Sequence, residues 1–432
     1  MVIYIDYLPF MALLGLIITL LAFPRAGLAK PAVIAALLAL AASPGHISDI
    51  LGKVGPSLIG VLVMMTAVQL AVAMALDERG GDWLGAVIAR PLHVSWLAGV
   101  PASVLVPCIL MPLAMACAAA IHNIPAVALL APLAFSLCQR LGIPWVPSLV
   151  GLIPASNLGG ASAAWGDTPA ILQRQVWGFD VSTFAANMLP RNLLVLCVLM
   201  VVVGAWSFWT NQHNSRRRVM ETFERIRIRD QQHARSAHRV SPSTDQYLGG
   251  LGLVSLFAVQ ILQPVYALAG SMAILALLLA CRASSDFVRS TFVLGDEAVL
   301  AIAALFTISA VIEHSPLLAV LVEKSLTNHS GSIEVVAFLV TSLISADGAA
   351  TMLASVVHAK HDGSLDAAWS LASGICAGST ALLTSASAGP ILIEAAKKSG
   401  VSLSFRTYAV FGVPFSLLML TGYLSLSMAK LA

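Results

Sequence analysis

Two aspartates interrupt long apolar stretches of this 432-residue chain. Asp167 lies in "SNLGGASAAWGDTPAIL", residues 156–172, and Asp347 lies in "SADGAATMLA", residues 345–354. A carboxylate among apolar residues is unstable as a bare charge, so a proton or a cation must neutralise it. These residues predict reversible binding of an ion or proton, or acid–base chemistry shared by paired carboxylates.

The residue types around both aspartates predict breaks in helices. The segments "NLGGASAAWGDTP" and "AGSTALLTSASAGP" combine Gly, Ser, Thr and Pro, and "HNIPAV" and "SADGAAT" place a polar tip before small residues. Pro cannot donate to a helix ladder and Gly supports one poorly. A broken helix offers free main-chain groups and dipole ends to an ion. The candidate binding residues are His122, Asn123, Ser156, Asn157, Gly159, Gly160, Asp167, Thr168, Asp347, Gly348, Thr351, Ser379, Thr380, Thr384, Ser385 and Ser387.

Structural roles remain open at three of these positions. Asp167 could be the N-cap of a helix that begins at Thr168, and Asp347 could cap the helix around it. His122 could titrate near neutral pH, or it could be a buried imidazole with satisfied hydrogen bonds. A capping role is compatible with ion binding, so the alternatives are not exclusive.

The composition is that of a membrane protein. Hydrophobic residues make up 58% of the chain, charged residues make up 10%, and the mean hydropathy is +0.88. Apolar runs of about 20 residues recur and predict roughly 10 to 12 spanning or half-spanning helices. We expect an all-α polytopic fold, because helices satisfy their backbone groups internally in lipid. The first run begins at "MVIYIDYLPF" without a basic leader, so we expect a membrane helix there, not a signal peptide.

One hydrophilic segment divides the chain into two halves. Residues 211–246 hold eight of the 24 Lys and Arg residues. Arg-rich loops resist translocation, so we expect a cytoplasmic linker, either solvated or lying on anionic lipid as an amphipathic helix. A loop between hydrophobic halves needs no nucleic-acid partner to explain its charge. The predicted organisation is a first membrane repeat over 1–210, the linker over 211–246 and a second membrane repeat over 247–432.

The two halves carry similar features in the same order. With an offset of 220, Asp167 aligns with Ser387, and Asn123 aligns with Asp347 at a slightly larger offset. This order predicts inverted repeats related by a half-turn about an axis in the membrane plane. We also expect residues 157–160 and 379–387 to be non-helical and to line one shared polar cavity.

The six cysteines stand singly in apolar segments, without the spacing of a zinc site or a disulfide framework. We expect no cofactor other than a transported or coupling ion such as H⁺ or Na⁺.

These motifs resemble the ion transporter superfamily, which contains arsenite/antimonite permeases, D-type sodium/proton antiporters and divalent anion/sodium symporters. "NLGGASAAWGDTPAIL" resembles the family's Gly-Gly…Gly-Asp-Pro break, "HNIPAVALLAPLA" and "SADGAATMLASVV" resemble its hairpin tips, and "LDERGGDWLGAVIAR" resembles the permeases' Asp-Glu segment. The resemblance implies two inverted repeats, each with a re-entrant hairpin and an unwound helix, in a homodimer. It departs from the family at Ala163 and Ala164, where members often have Thr-Pro, and at Asp347, where members have Asn.

Three mechanisms compete. Facing carboxylates at Asp167 and Asp347 favour a bound cation or a shared proton, which is the competition that cation/proton antiport requires. Arsenite or another oxyanion could be exported instead, although two carboxylates repel an anion. An intramembrane aspartyl protease is a remote alternative, because the Gly expected two residues before Gly-Asp is Ala164 and no Pro-Ala-Leu follows.

We therefore predict a non-enzymatic, proton-coupled ion antiporter. Its partners are the lipid bilayer and a small ion. We expect a multi-pass protein of a prokaryotic inner membrane or an intracellular membrane.

Overall fold

The fold was established from a computed structural model. The structure describes residues 2–23, 27–75, 100–164, 166–212, 244–262, 267–281, 296–315, 330–398 and 403–431, together with residues 320, 322, 324, 325 and 401. Most of the Arg-rich linker and the whole Asp-Glu segment "LDERGGDWLGAVIAR" lie outside the described residues.

The described part of the first half is helical throughout. The breaks between its helices fall at Gly, Pro and small polar residues, as their backbone chemistry predicts. Its helices are α1 (Val2–Ala22), α2 (Ala29–Ala41), α3 (Ile47–Ala75), α4 (Ala102–Ile121), α5 (Asn123–Leu141), α6 (Val146–Gly160), α7 (Thr168–Trp177) and α8 (Val181–Gln212).

The described part of the second half is also helical. In both halves, a ten-residue helix precedes a long final helix. The second-half helices are α9 (Thr244–Leu262), α10 (Ala267–Cys281), α11 (Asp296–Glu313), α12 (Ser330–Leu343), α13 (Ala346–Lys360), α14 (Leu365–Gly378), α15 (Gly389–Lys398) and α16 (Phe405–Leu431).

The prediction of an all-α polytopic membrane protein is confirmed. Within the described residues, three helices are long and apolar enough to cross a bilayer: Ala102–Ile121, Val181–Asn211 and Phe405–Ala429. A fourth span results if Ala29–Ala41 and Pro44–Gly60, bent by 94°, are counted together. Shorter apolar helices accompany them, as broken spans require. The total of about 10 to 12 stays a prediction.

The helix packing is reciprocal between the two halves. α5 of the first half packs on α15 of the second, and α13 of the second half packs on α7 of the first. Within the halves, α4 packs on α6 as α12 packs on α14. Exchanging the halves maps these contacts onto one another, which is the pattern that a duplication produces. The half-turn relation itself stays a prediction.

The expectation that residues 157–160 are non-helical is wrong. α6 continues through Gly160, and the first break begins at Ala161. The physical reason lies in close packing: a Cβ at residue 159 would overlap the main-chain carbonyl of Met115 on α4. Gly159 therefore serves helix contact and does not open the backbone. Residues 379–387 are non-helical, as expected.

The turns of the two breaks align with an offset of 223 and not 220. Ser162 N donates to Gly159 O and Gly166 N donates to Ala163 O, at 3.0 Å in both cases. The second break repeats these turns with Ser385 N to Leu382 O and Gly389 N to Ala386 O, at 3.1 and 2.9 Å.

Candidate functional site

Asp167 both caps a helix and faces a cavity. Its Oδ1 accepts a hydrogen bond from Ala170 N at 2.9 Å, so it is the N-cap of α7, as its position before Thr168 predicted. Its side chain is buried, and it lines the cavity between the two breaks. Asp167 therefore caps α7 and also forms part of the cavity wall.

Asp347 does not cap its helix. The N-cap of α13 is Ser345, whose Oγ accepts from Gly348 N at 3.2 Å. The Asp347 carboxylate instead accepts hydrogen bonds from Ser387 Oγ, at 3.2 Å, and from Thr168. It therefore joins the break of its own half to the start of α7 in the other half. Asp167 and Asp347 are close enough to interact electrostatically.

The cavity lies where the two breaks meet, and it has room for about one water molecule. Of the candidate residues, Asn123, Asn157, Asp167, Ser379 and Ser387 line it. Asn157 Nδ2 also donates to Thr380 Oγ1 across the halves at 3.3 Å. This hydrogen bond joins α6 of the first half to the second break.

Two amide oxygens of the lining have no donor. Asn157 Oδ1 and Gln173 Oε1 are buried without a hydrogen-bond partner among the residues that the structure describes, whereas the side chain of Asn123 is hydrogen-bonded to that of His122. Buried acceptors are normally satisfied, so orphaned ones indicate an unseen ion or water. Together with the Asp167 carboxylate they form a set of oxygen donors, the ligand type that hard cations prefer.

Glycines allow the chain to fold back tightly at this site. A Cβ at residue 160 would lie 2.9 Å from Asp167 Oδ2, and a Cβ at residue 166 would lie 2.5 Å from Gly160 O. In the second half, a Cβ at residue 389 would overlap the carbonyl of Leu383. A larger side chain at these positions would push the restarted helix away from the break.

The remaining candidates lie outside the cavity lining. His122 lies at the junction of α4 and α5 with φ at +82°, and its buried side chain is hydrogen-bonded to that of Asn123. Thr351 is exposed and donates to Asp347 O within its own helix, at 2.9 Å. The Ser156 hydroxyl donates to Ile153 O of α6, and the Ser385 hydroxyl bonds within the turn of the second break. Thr384 is buried, and the described residues provide no partner for its Oγ1.

Sequence reasoning missed several polar residues that complete the site. Gln173 and Cys376 line the cavity. Asn192 and Tyr423 lie outside the lining and hold the first break in place by hydrogen bonds. Asn192 Nδ2 donates to Leu158 O at 3.0 Å and to Ser162 Oγ at 2.9 Å, while Tyr423 Oη donates to Asn192 Oδ1 at 2.6 Å. A single amide inside the apolar run "NLLVLCVLMVVV" was the signal that could have identified Asn192.

The different roles of Ser345 and Asp347 lead to a prediction about stability. Ser345→Ala removes the cap of α13 and should lower the stability of the protein by about 1 kcal/mol. Asp347→Asn keeps one acceptor oxygen for the hydroxyl groups of Ser387 and Thr168 and leaves the cap of α13 intact, so it should change stability less. Thermal unfolding of both variants in one detergent measures the difference. Greater loss in Asp347→Asn would contradict the assignment of the cap.

A match to a family model covers most of the chain. Residues 16–374 match the model of a family described as citrate transporters. The matched region contains both aspartates, the cavity-lining amides Asn123, Asn157 and Gln173, and the first break, and it ends before the second break, which begins at Ser379.

Shorter matches connect the chain to individual bacterial proteins. It is 37% identical over 82 residues to an uncharacterized transporter of Mycobacterium tuberculosis, covering 19% of each chain. It is 34% identical over 89 residues to the magnetosome protein MamN of Paramagnetospirillum magneticum, covering 20% of each. It is 28% identical over 144 residues to a 46 kDa membrane protein of Mycobacterium leprae, covering 33% of this chain and 32% of that one. The alignments thus span a fifth to a third of these relatives.

Proposed function

The chain belongs to the citrate transporter family, and from that premise we propose that it is a proton-coupled transporter whose central cavity binds a cation. It is an integral membrane protein and a secondary transporter. What we propose is that protons are coupled to transport, that the cavity binds a cation, and that the two are exchanged for one another.

The observation that carries the proposal is the donor set of the cavity. Two amide oxygens without a donor, the Asn123 amide and the Asp167 carboxylate face one small space, and Asp347 is close to Asp167. Among the residues described, the lining contains no Lys or Arg. Such a site stabilises a cation, and it stabilises a carboxylic acid when the cation leaves. Competition between the two is what couples cation movement to proton movement.

A carboxylate anion such as citrate is a second candidate substrate, and the family description favours it. The cavity as described offers negative and neutral oxygens, which repel a free anion. If citrate is carried, the oxygen site would hold the cation that accompanies it. Exported arsenite or another oxyanion would meet the same repulsion, and the family description does not favour it.

A transport screen tests the proposal. Purified protein in proteoliposomes is given a pH gradient, and uptake of Na⁺, Li⁺, K⁺, arsenite and citrate is followed in turn. We expect flux of one monovalent cation that depends on the pH gradient. Since a gradient of one pH unit equals about 1.4 kcal/mol, it should drive about tenfold accumulation for each coupled proton. Citrate uptake that needs neither a cation nor a pH gradient would contradict the proposal.

A further inference from the structure

A second carboxyl group is buried away from the cavity. Glu334 of α12 has no exposed surface. Its Oε1 accepts a hydrogen bond from Ser427 Oγ of α16 at 2.5 Å, and Ser370 of α14 is a further partner. Its Oε2 is buried and has no partner in the part of the chain that the structure describes. A fully enclosed carboxyl group with one free oxygen needs a proton, a water molecule or a cation there.

Tight helix packing keeps Glu334 in this position. α12 contacts α14 so closely that a Cβ at residue 374 would overlap the main-chain carbonyl of Glu334. The next turn repeats the contact, because a Cβ at residue 378 would lie 2.6 Å from Phe338 O. Small residues at 374 and 378 let the two backbones meet, which fixes α12 against α14 at Glu334.

The charged and titratable groups around Glu334 come from several helices. Arg191 of α8 interacts electrostatically with Glu334, with Asp366 of α14 and with Tyr423 of α16. Asp366 is exposed at the start of α14, whereas Arg191 is largely buried. The third neighbour, α13, carries Asp347 at its start and Lys360 at its end, and its His358 packs against Trp177 with ring centroids 5.1 Å apart. Glu334 therefore lies between the exposed start of α14, where Asp366 is, and the interior of the protein.

Further buried polar side chains lie on α12 and α14, the two helices that meet at Glu334. Asp366, Ser370 and Ser373 share one face of α14, at the helical spacing of four and three residues. Ser373 Oγ of α14 and Thr341 Oγ1 of α12 are, like Glu334 Oε2, buried without partners among the described residues. The rise of α14 from Ser370 to cavity-lining Cys376 is about 9 Å. Water molecules are the usual partners of such groups.

We infer that Glu334 is a second proton-binding site, which exchanges protons with water at the Asp366 end and delivers them along the polar face of α14 to the cavity. This inference rests on the proposed proton coupling. It gives the proton a route separate from that of the cation, so cation binding and proton delivery are separable by mutation.

Two variants of the full chain test the inference. Glu334→Gln keeps the volume and an acceptor for Ser427 but carries no titratable proton. Ser427→Ala is the matched control, because it removes the structural hydrogen bond and keeps the carboxyl group. In proteoliposomes, we expect Glu334→Gln to lose pH-driven ²²Na⁺ flux at least about tenfold while ²²Na⁺/Na⁺ exchange at equal pH is unchanged. Ser427→Ala should retain both activities.

A second measurement reports on Glu334 without transport. Infrared difference spectra of purified protein between acidic and alkaline pH should contain a carboxyl band that Glu334→Gln lacks and Ser427→Ala keeps. The same band in Glu334→Gln, or pH-driven flux equal to wild type, would overturn the inference and leave the proposed function standing. Wild-type protein without pH-driven cation flux would overturn both.

Discussion

Asp167→Asn should abolish coupled flux while the protein still folds and reaches the membrane. Asn caps a helix about as well as Asp, so the hydrogen bond to Ala170 N and the start of α7 should survive. Asn neither releases a proton nor neutralises a cation. Removing one partner of a buried charge pair costs about 3–5 kcal/mol, which is at least about a hundredfold in ion affinity. Vesicle flux under a pH gradient and membrane abundance are the two measurements.

Asp180→Asn is the matched control for this prediction. Asp180 lies just before α8 and accepts a hydrogen bond from Thr183 N at 2.6 Å, so it occupies a capping position like that of Asp167. It is exposed, and hydrogen bonds from Thr183 hold the pKa of Asp180 below its usual range. We expect wild-type flux from Asp180→Asn. Normal pH-dependent flux from a well-expressed Asp167→Asn protein would reduce Asp167 to a structural cap.

Asp347→Asn should have a milder effect than Asp167→Asn. Asp347 contacts the cavity through Ser387 and Thr168 and does not line it directly. Asn preserves an acceptor for these hydroxyl groups, so ion movement should persist with changed cation preference or proton coupling. Competition between Na⁺, Li⁺ and K⁺ in the flux assay measures the preference. Complete loss of flux, equal to that of Asp167→Asn, would show that both carboxylates bind the ion directly.

Gly159→Ala should destabilise the protein strongly. The new Cβ would overlap the carbonyl of Met115 and approach Ala118 Cβ to 2.9 Å, and a backbone carbonyl cannot move aside as a flexible side chain can. Overpacking costs about 1–3 kcal/mol, and a backbone clash belongs at the upper end of that range. Because α6 carries Asn157 into the cavity, ion binding should weaken as well. Thermal unfolding in detergent measures the first effect.

Gly151→Ala on the same helix provides the comparison. A Cβ at residue 151 would meet Met111 Sδ at 3.2 Å, and the flexible methionine can shift to accommodate it. We expect its unfolding temperature to stay close to that of wild type. Equal loss of stability in the two variants would mean that α4 and α6 do not pack as closely at Gly159 as the structure has them.

The sequence predicted what depends on local chemistry. Apolar run lengths determine the class of fold, and Pro169 after Asp167 determines where α7 begins. The role of Gly159 could not be predicted in this way, because whether a glycine opens a helix or permits contact depends on the neighbouring helix. Asp347 illustrates the same limit: its carboxylate bonds to Ser387 of the second break and to Thr168 of the other half, which local sequence does not reveal.

The polar residues that were missed became visible only through packing. Gln173 reads as an ordinary helix-surface residue, and its burial follows from the docking of α7 beside α13 and α14. Glu334 lies near the start of a helix, where acidic residues are common and stabilising. Its complete enclosure depends on Gly374 and Ser427, which are distant in sequence. Burial of this kind is a property of tertiary structure and has no local signature.

Counting the protons released when the cation binds to purified protein tests the central claim most directly. The cation selected by the screen is titrated into weakly buffered protein in detergent, and the change in pH is recorded. We predict release of about one proton per bound cation by wild type and none by Asp167→Asn. Asp180→Asn should behave as wild type. Cation binding without proton release by wild type would contradict competition between proton and cation at the broken helices.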